Sequence, residues 1–409
     1  MGSLIDEIYN HIKKAKKVLE GVVHKTPLDK SETFSKMTKA KCIYLKLENL
    51  QKTGSFKPRG AYYKISSLSQ EEKSRGVVAI SSGNHAQGVA YAASIQGVSA
   101  KIIMPIFAPI SKILATKAYG AEVVLYGETF DQAAEKVKEI IEKEKRTLIH
   151  PYDDKFIIAG QGTIGLEILE NLKKPDIVVV PVGGGGLISG IAIAIKKKLG
   201  DKVKIIGVQS EADPGVMAKL GLIKHPEKKI HTIADGIAIK KPGELTTKII
   251  SELVDDMITV SDDEIAYAIF MLLERAKTLV EGAGAVGLAA VLSGKIDVEN
   301  KDVAVVISGG NMDITRLIKI LNRELVALKR LVKLDVTMPD IPGALPRLLD
   351  SIAKTRINVV DITIEKYSPY IKPQEVIAEI IVEVPVLETL NELIKEAEKL
   401  GYRMEISEI

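Results

Sequence analysis

The chain has 409 residues, of which 46% are hydrophobic and 27% are charged, so it is long enough for two or three globular domains with buried cores. The net charge is +4, the basic residues form no block, aromatic residues make up only 4%, and tryptophan is absent. This composition argues against nucleic-acid binding, which needs a basic surface with interleaved aromatic rings.

The N-terminal segment MGSLIDEIYNHIKKAKKVLEG predicts an amphipathic helix and lacks the apolar stretch of a signal peptide. No run approaches the roughly 18 apolar residues that a membrane span needs. The single cysteine, Cys42, cannot form an intrachain disulfide, which suits a reducing compartment, and its apolar surroundings predict a buried, inert thiol. We therefore expect a cytoplasmic protein with neither a membrane nor a nucleic-acid partner.

Short apolar strands then alternate with helices over most of the chain. The segments that predict strands include CIYLKLE, GVVAISS, AKIIMP, AEVVLYG, DIVVVPV and DVAVVISGG. Helix-like segments and glycine-containing turns separate them. This alternation is typical of an α/β fold in which parallel sheets carry helices on both faces.

The pattern changes near residue 330. Val332, Leu334, Val336 and Met338 alternate with polar residues, which predicts a strand with one buried face. The segments after it predict, in order, a helix, two strands, a second helix and a last strand. The sequence therefore predicts a small βαββαβ domain over residues 331–409, joined to the rest by a linker at 326–330.

Four successive glycines, Gly183–Gly186, follow the apolar strand DIVVVPV and precede a helix. Such a loop leaves backbone N–H groups open to an anion, and the dipole of the following helix adds attraction. A tight strand–helix turn needs only one or two glycines. We therefore expect a bound phosphate here, although the loop has neither the Walker A nor the Rossmann spacing.

The stretch SSGNHAQG lies at another predicted junction between a strand and a helix. Ser82, Asn84 and His85 cluster where a helix N-terminus faces the carboxyl edge of a parallel sheet, and ligands bind at that edge in open α/β folds. Helix capping explains one serine but leaves the asparagine and the histidine unexplained.

Lys57 stands in the stretch TGSFKPRG, between Phe56 and Pro58. Proline biases the residue before it away from the helical region. Contact with the phenylalanine ring could exclude water from the amine, and desolvation lowers the pKa of an amine and makes it a better nucleophile. Taken alone, a lysine is most often a surface charge. Two further stretches are rich in small residues. SGGN, from Ser308, closes the last strand of the predicted core, and EGAGAVGLAA, from Glu281, predicts the start of a closely packed helix.

Five motifs in this order, SFKPRG, SSGNHAQG, GGGGL, ADGIA and SGGN, resemble those of pyridoxal-phosphate enzymes of fold type II, the tryptophan-synthase β-like fold. The narrower resemblance is to the threonine dehydratase (threonine ammonia-lyase) and serine racemase family. It covers residues 1–325 and implies two three-layer α/β subdomains, with a small one of about 45–150 inserted in the large one. Residues 331–409 resemble an ACT domain, a module that binds amino-acid effectors.

The resemblance implies a role for each motif residue. Lys57 would hold pyridoxal 5'-phosphate as a Schiff base, and Gly183, Gly184, Gly185, Gly186 and Leu187 would bind its phosphate. Asn84 would hydrogen-bond the phenolic oxygen of the ring, Phe56 and Gly236 would flank the ring faces, and Ser308 would face the ring nitrogen. The loop of Ser82, Gly83, Asn84 and His85 would bind the substrate carboxylate.

The implied activity is deamination of L-threonine to 2-oxobutanoate and ammonia, and of L-serine to pyruvate, with Lys57 taking the α-proton. A neutral serine at the ring nitrogen suits loss of a β-substituent better than transamination. Two less favoured alternatives are a β-replacement of the cysteine-synthase type and a non-catalytic amino-acid sensor. The intact lysine and glycine loop favour an enzyme over a sensor.

Ser82 departs from the dehydratase pattern, which has alanine at this position. In serine racemases a serine here is the acid–base group on the face opposite the lysine. The sequence therefore leaves two readings open: a dehydratase with racemase activity in which Ser82 is catalytic, or a serine that binds the carboxylate or caps the helix.

A mono- or divalent cation site is a weaker implication. Glu211 and Asp213 offer the hard oxygen ligands that such cations prefer. The spacing differs from the racemase pattern, which has a carboxylate at the position of Gln209. A solvated acidic loop is the alternative.

The ACT resemblance implies regulation by an amino acid such as isoleucine or valine, as in isoleucine biosynthesis. The effector residues would be Asp340, Ile341, Gly343, Ala344, Leu345 and Asn358. ACT domains usually pair, so a homodimer or homotetramer is expected. A domain that serves only oligomerisation is the alternative.

Overall fold

The computed structural model describes residues 1–224, 231–367, 369 and 371–407, and the chain forms two compact units, Met1–Met312 and Asp313–Ile409. The second unit includes the helix Ile314–Ala327. The functional domain boundaries expected from the sequence, at 325 and 331, stay predictions. No helix in the described part of the chain is both long enough and apolar enough to cross a membrane.

The first unit contains ten strands and thirteen α-helices within its described residues. The strands are β1 (Leu28–Ser31), β2 (Cys42–Leu47), β3 (Val77–Ile80), β4 (Ala100–Met104), β5 (Glu122–Leu125), β6 (Thr147–Leu148), β7 (Ile177–Pro181), β8 (Lys204–Ser210), β9 (Asp256–Val260) and β10 (Asp302–Ile307). The helices are α1 (Gly2–Val18), α2 (Glu32–Thr38), α3 (Lys57–Ser66), α4 (Gln70–Arg75), α5 (Asn84–Ile95), α6 (Ile110–Ala118), α7 (Phe130–Glu144), α8 (Lys155–Asn171), α9 (Gly186–Leu199), α10 (Gly215–Lys219), α11 (Glu244–Leu253), α12 (Asp262–Ala276) and α13 (Gly282–Leu292).

The larger sheet has six strands in the order β1-β2-β10-β7-β8-β9. All neighbours are parallel except β1, which pairs antiparallel with β2 at the edge. The central strand β7 is buried along its whole length, as expected for a parallel strand covered on both faces. The thiol of Cys42 on β2 is buried and free, which confirms the prediction of burial.

The smaller sheet is parallel, with the order β5-β4-β3-β6, and it lies between β2 and β7 in the chain. Helices α3 and α5 cover it with small side chains, among them Ala61, Ala86 and Ala93. A Cβ atom at Gly88 would lie 2.9 Å from the Cβ of Lys57, so glycine is what lets α5 approach the start of α3. The predicted fold of two parallel, helix-covered sheets is confirmed.

Helix α8 packs on α9 through glycine on both sides. A Cβ at Gly162 would lie 2.8 Å from the carbonyl oxygen of Gly190, and one at Gly190 would lie 2.3 Å from the carbonyl oxygen of Ile158. Nearly every residue of α8 from Ile157 to Leu169 is buried. This contact fixes the helix that begins at the four-glycine loop.

The second unit contains the helix α14 (Ile314–Ala327) and a four-stranded antiparallel sheet with two further helices. Its elements are β11 (Leu331–Pro339), α15 (Ala344–Lys354), β12 (Asn358–Glu365), β13 (Glu375–Glu383), α16 (Leu387–Lys399) and β14 (Arg403–Ser407), and the sheet order is β12-β13-β11-β14. Val332, Leu334, Val336 and Met338 are buried, as their alternation predicts. The predicted βαββαβ order is confirmed.

A buried ion cluster ties α3 to the larger sheet and to α8. Arg59 makes two-point contacts with Glu48, at 2.8 and 2.8 Å, and with Glu167, at 2.6 and 2.9 Å. Lys46 on β2 donates to Glu167 at 2.6 Å, and the hydroxyl of Thr26 donates to Glu48. Two cations therefore balance two carboxylates, and each carboxylate is held in place by an arginine fork.

Replacing Arg59 with methionine should lower the free energy of unfolding by about 3–5 kcal/mol, since two buried carboxylates lose their main partner. Urea denaturation followed by circular dichroism measures this change. Arg75→Met is the control, because Arg75 pairs with Glu71 at the surface, where an ion pair contributes less than about 1 kcal/mol. Equal stability of the Arg59 variant and the native protein would contradict the assignment.

Candidate active site

The predicted site residues meet at the carboxyl edge of the larger sheet. Strands β7 and β10 are parallel neighbours, so the glycine loop after β7 and Ser308 after β10 leave the sheet side by side. The backbone of Phe56 reaches the same place, since its N–H donates to the carbonyl oxygen of Ser308 at 3.2 Å. The structure therefore brings together segments that lie more than 100 positions apart in the sequence.

Lys57 is the first residue of α3, which differs from the extended conformation that the following proline favours. Pro58 lies in the first turn of the helix, where its missing N–H removes no hydrogen bond. The helix start points the lysine amine toward the segment before α8: Nζ donates to the carbonyl oxygen of Pro151 at 3.1 Å.

Burial of the Lys57 amine outweighs the contacts that favour its charged form. Burial lowers its pKa to about 8, and the carboxyl of Glu281 opposes this effect. Nζ also lies 5.0 Å from the centre of the Phe56 ring, as the sequence suggested. A larger fraction of this amine is therefore neutral and nucleophilic at neutral pH than of an ordinary lysine.

The glycine loop is closely packed against Tyr152 and Thr246. A Cβ at Gly184 would lie 2.2 Å from the ring of Tyr152, and Gly185 has a φ of +93°, which other residues rarely adopt. The hydroxyl of Thr246 donates to the carbonyl oxygen of Gly184 at 2.7 Å. Packing alone therefore requires some of these glycines.

The same loop begins the 14-residue helix α9. The first N–H groups of a helix, here from Gly186 and Leu187 onward, have no carbonyl partner inside the helix. Together with the helix dipole they attract an anion. The loop therefore combines tight packing of its glycines with unpaired N–H donors that suit a phosphate.

Ser82 is not the cap of α5, which corrects the capping alternative. Gly83 is the N-cap and there is no side-chain capping bond. The N–H of Gly83 donates to the hydroxyl of Ser81 at 3.1 Å. Asn84 and His85, in the predicted carboxylate-binding loop, form the first turn of α5. Their backbone N–H groups therefore have no carbonyl partner inside the helix.

His85 is buried beneath this loop. Its Nε2 lies 2.8 Å from the carbonyl oxygen of Ile149 and donates to it in the neutral tautomer that this contact implies. Burial, together with the nearby charge of Lys57, lowers its pKa to about 3. The His85 side chain therefore stays neutral and fixes the loop, so only its backbone can face a ligand.

Asn84 lies in a hydrogen-bonded chain whose other members the sequence analysis did not assign to the site. Its amide nitrogen donates to Glu281 at 2.5 Å, and its amide oxygen accepts from Asn311 at 2.7 Å. Burial raises the pKa of Glu281 to about 7. Both residues lie in motifs that the sequence shows, EGAGAVGLAA and SGGN, but only the fold brings these side chains together.

Gly236 and Ser308 both adjoin Ala283, at the start of α13. A Cβ at Gly236 would lie 3.1 Å from the Cβ of Ala283, and the Ser308 hydroxyl donates to the carbonyl oxygen of Ala283 at 3.4 Å. Ser308 is buried, and this long hydrogen bond leaves its hydroxyl able to serve another partner.

The segment His150–Asp153 connects the lysine to the glycine loop and was not predicted. Pro151 accepts from Lys57, the ring of Tyr152 packs on Gly184, and Asp153 accepts from the N–H groups of Glu244 and Thr246 at 3.0 Å each. The segment follows β6, a parallel strand. Polar residues just after the carboxyl end of β6 could have indicated this part of the site, because ligands bind at that end of parallel strands.

The cation candidates do not form a recognisable metal site. Within the described part of the chain no three His, Cys, Asp or Glu side chains come together in a way that could hold a metal ion. The carboxylate of Glu211 instead pairs with Lys295 at 3.2 Å, and Lys295 also pairs with Glu264 at 2.7 Å.

The predicted effector residues lie at two ends of the sheet of the second unit. Asp340, Ile341, Gly343, Ala344 and Leu345 follow β11 and start α15. The end of β11, Pro339, pairs with Glu375, whereas Asn358 pairs with Glu383 at the other end of β13. The fold of one chain therefore does not bring Asn358 to the loop after β11.

The family model of the pyridoxal-phosphate dependent enzymes matches residues 19–309. The chain belongs to this family. L-threonine ammonia-lyase of Thermotoga maritima is 53% identical to it over 353 residues, which are 86% of this chain and 87% of that protein. The match is longer than the first unit and so extends into the second.

Two solved structures resemble the chain. Threonine deaminase isoform 2 of Solanum lycopersicum, in its processed form, has a TM-score of 0.73 at 38% identity and covers 79% of this chain and 89% of its own. Serine racemase of Dictyostelium discoideum has a TM-score of 0.69 at 39% identity and covers 75% of this chain and 99% of its own.

The geometry fits pyridoxal phosphate, the cofactor of this family. A half-buried amine with a lowered pKa suits an aldehyde, and a glycine loop at a helix N-terminus suits a phosphate. The amide of Asn84 and the hydroxyl of Ser308 are neutral groups that can hydrogen-bond a ring. The chain thus offers a matching group for each polar part of the cofactor.

Lys57→Ala should fold normally but lose turnover and the absorbance band of the Schiff base, because the only change is loss of the amine that reacts with the aldehyde. Visible spectra and thermal melts after incubation with pyridoxal phosphate provide the measurement. Lys52→Ala removes an exposed lysine from the same segment and should keep the band. A persistent band in Lys57→Ala would assign the amine to another lysine.

Proposed function

We propose that the chain catalyses the deamination of L-threonine to 2-oxobutanoate and ammonia, and of L-serine to pyruvate. The observation that carries this proposal is the Lys57 amine, with its pKa lowered to about 8, beside a phosphate-type glycine loop in a pyridoxal-phosphate dependent enzyme. The Thermotoga maritima L-threonine ammonia-lyase, at 53% identity, supports the choice of substrate.

Lys57 is the base in this proposal. When bound, pyridoxal phosphate supplies the electron sink that makes the α-hydrogen of an amino acid acidic. The amine of Lys57 then takes that proton, and its lowered pKa leaves part of it neutral for this task near neutral pH. The carbonyl oxygen of Pro151 accepts from the amine at 3.1 Å and so restrains its position.

Two helix N-termini would hold the two anionic groups. The first turn of α9, at Gly186 and Leu187, would hold the phosphate, and the first turn of α5, at Asn84 and His85, would hold the substrate carboxylate. Because each site uses backbone N–H groups and a helix dipole, neither needs a positive side chain next to the Lys57 amine.

Neutral groups would contact the cofactor ring. Asn84 would donate to the phenolic oxygen, Ser308 would face the ring nitrogen, and Phe56 and Gly236 would border the faces. A buried serine would offer no negative charge to that nitrogen, which would favour loss of the β-substituent over transamination. Threonine loses its α-proton and β-hydroxyl as water, and one water re-enters when ammonia leaves.

A second candidate is serine racemisation with Ser82 as the other acid–base group. Two observations favour it: the Ser82 hydroxyl does not cap α5, and the serine racemase of Dictyostelium discoideum shares 39% identity over 75% of this chain. Racemisation requires a proton donor on the face opposite Lys57. A serine in the loop at the start of α5 is the residue that the sequence offers for that role.

We also propose that the second unit is an ACT domain that binds an amino acid such as isoleucine or valine and pairs with a second copy. The strand register supports pairing, because Asn358 and the Asp340–Leu345 loop lie at opposite ends of β13. A binding site that uses both would need two chains. On this proposal the protein is a homodimer or a homotetramer.

The purified protein should release a 2-oxo acid from L-threonine and L-serine, and isoleucine should change the rate. Steady-state kinetics with each substrate, with and without isoleucine, measures both effects. Product from O-acetylserine plus sulfide, without 2-oxo acid from threonine, would favour β-replacement instead. No turnover of any of these substrates by the cofactor-loaded protein would favour the amino-acid sensor.

Isoleucine binding to the second unit should be visible by calorimetry even where the rate does not change. Absence of binding for isoleucine, valine and the other amino acids would reduce the second unit to an oligomerisation domain. The deamination proposal would stand in that case, since it rests on the first unit.

Ser82→Ala should abolish any D-serine formed from L-serine while keeping deamination of L-threonine within about tenfold of the native rate, because Lys57 acts on the other face. Chiral chromatography of the serine that remains during turnover measures this. If the native enzyme forms no D-serine, Ser82 has no acid–base role in racemisation.

A further inference from the structure

The amide of Asn84 is constrained from both ends. Its nitrogen donates to a carboxyl oxygen of Glu281 at 2.5 Å, and its oxygen accepts from the amide nitrogen of Asn311 at 2.7 Å. Asn311 is oriented in turn, because the same nitrogen donates to the carbonyl oxygen of Thr53 at 2.8 Å. If the Asn84 amide were flipped, its oxygen would face the Glu281 oxygen and its nitrogen would face the Asn311 nitrogen, so both hydrogen bonds would be lost.

Glu281 is built closely into the site. It is the N-cap residue of α13, its side chain is buried, and its N–H donates to the carbonyl oxygen of Gly309 at 3.1 Å. A Cβ at Gly309 would lie 2.2 Å from its carboxyl oxygen and 3.2 Å from the Asn84 nitrogen. Only glycine at 309 therefore allows the carboxyl group to reach Asn84.

The charged groups that act on Glu281 come from three other elements. Asp235, in the turn Asp235–Ile237, disfavours its ionisation, whereas Lys112 on α6 and Lys57 on α3 favour it. Burial has the largest effect and raises the pKa of the Glu281 carboxyl to about 7. The hydrogen bond from Asn84 lowers this pKa but does not outweigh burial. The residue therefore changes charge close to neutral pH.

We propose that Glu281 is a positioning residue for the cofactor ring. The Glu281 carboxylate accepts one N–H of the Asn84 amide and so leaves the second N–H of that amide free to donate to the phenolic oxygen of the ring. An amide nitrogen has two N–H groups, and the bond to Glu281 uses one of them. A charged acceptor orients the amide more strongly than a neutral one. The inference rests on the proposed function, since it assumes that Asn84 serves the ring.

The sign of the pH effect follows from the charge of the acceptor. Above about pH 7 the carboxylate is ionised and holds the amide firmly. Below that pH it becomes a carboxylic acid, which can itself donate a proton to an amide oxygen, so only the contact with Asn311 still selects the orientation of the Asn84 amide. Affinity for the cofactor should therefore fall as the pH falls through about 7.

A double-mutant cycle on cofactor affinity tests the role. The apoprotein is titrated with pyridoxal phosphate for the native chain, Glu281→Gln, Asn84→Ala and the double variant, at pH values about one unit on either side of 7. Glu281→Gln should weaken affinity about tenfold at the higher pH, but less than about twofold in the Asn84→Ala background. The ratio of native to Glu281→Gln affinity should shrink at the lower pH.

Glu264→Gln is the matched control, because Glu264 is also a carboxylate at a helix start, partly buried and held by Ser261 and Lys295. It should leave the affinity and its pH dependence unchanged. Additive effects of Glu281→Gln and Asn84→Ala, or a pH-independent ratio, would overturn the proposal. If Glu281→Gln does not fold, the test uses the native protein and Asn84→Ala. Equal pH dependence of their affinities for pyridoxal phosphate would overturn the proposal.

The outcomes separate this proposal from the proposed function. If the native apoprotein does not bind pyridoxal phosphate, the proposed function fails. If it binds with additive mutational effects, only the role of Glu281 fails. Titration of apoprotein measures binding alone, so neither outcome depends on turnover of the loaded enzyme.

Discussion

The arrangement around Lys57 depends on the buried ion pairs of Arg59, two positions further along α3. Its guanidinium binds Glu48, which follows β2, and Glu167 on α8. An arginine fork fixes direction as well as distance, and a buried charge does not leave its partner without a large cost. Helix α3 therefore holds one orientation against the larger sheet, and that orientation carries Lys57 to the carboxyl edge.

Close packing of backbones then completes what the ion cluster begins. A Cβ at Gly60 would lie 2.8 Å from the carbonyl oxygen of Ile157, and one at Gly160 would lie 2.5 Å from that of Arg59. Helices α3, α8 and α9 are thus held by contacts that admit no side chain. Because α9 begins at the phosphate-type loop and α3 at the lysine, the same contacts set the positions of both groups.

Local patterns were enough to predict parallel, helix-covered strands, the βαββαβ unit and the loops that carry the site, because strand alternation and glycine-rich junctions depend on neighbouring residues. The division into two subdomains came from the family resemblance instead. Helix α8 does not follow from such patterns, since it is buried on all sides and has no amphipathic period. The partnership of Asn84 with Glu281, 197 positions away, depends on strand order. The start of α3 at Lys57 reflects the tolerance of a first helical turn for proline.

Burial of the charged forms of Lys57 and Glu281 lowers the stability of the fold near neutral pH. The amine of Lys57 has its pKa lowered from 10.5 to about 8, so its cost is full below about pH 8 and disappears above 10.5. The carboxyl of Glu281 has its pKa raised from 4.5 to about 7, so its cost is absent below 4.5 and full above about 7. Between pH 7 and 8 both penalties are close to their maximum. The paired charges around Arg59 and the dense contacts between helices α3, α8 and α9 stabilise the same unit and can offset that cost.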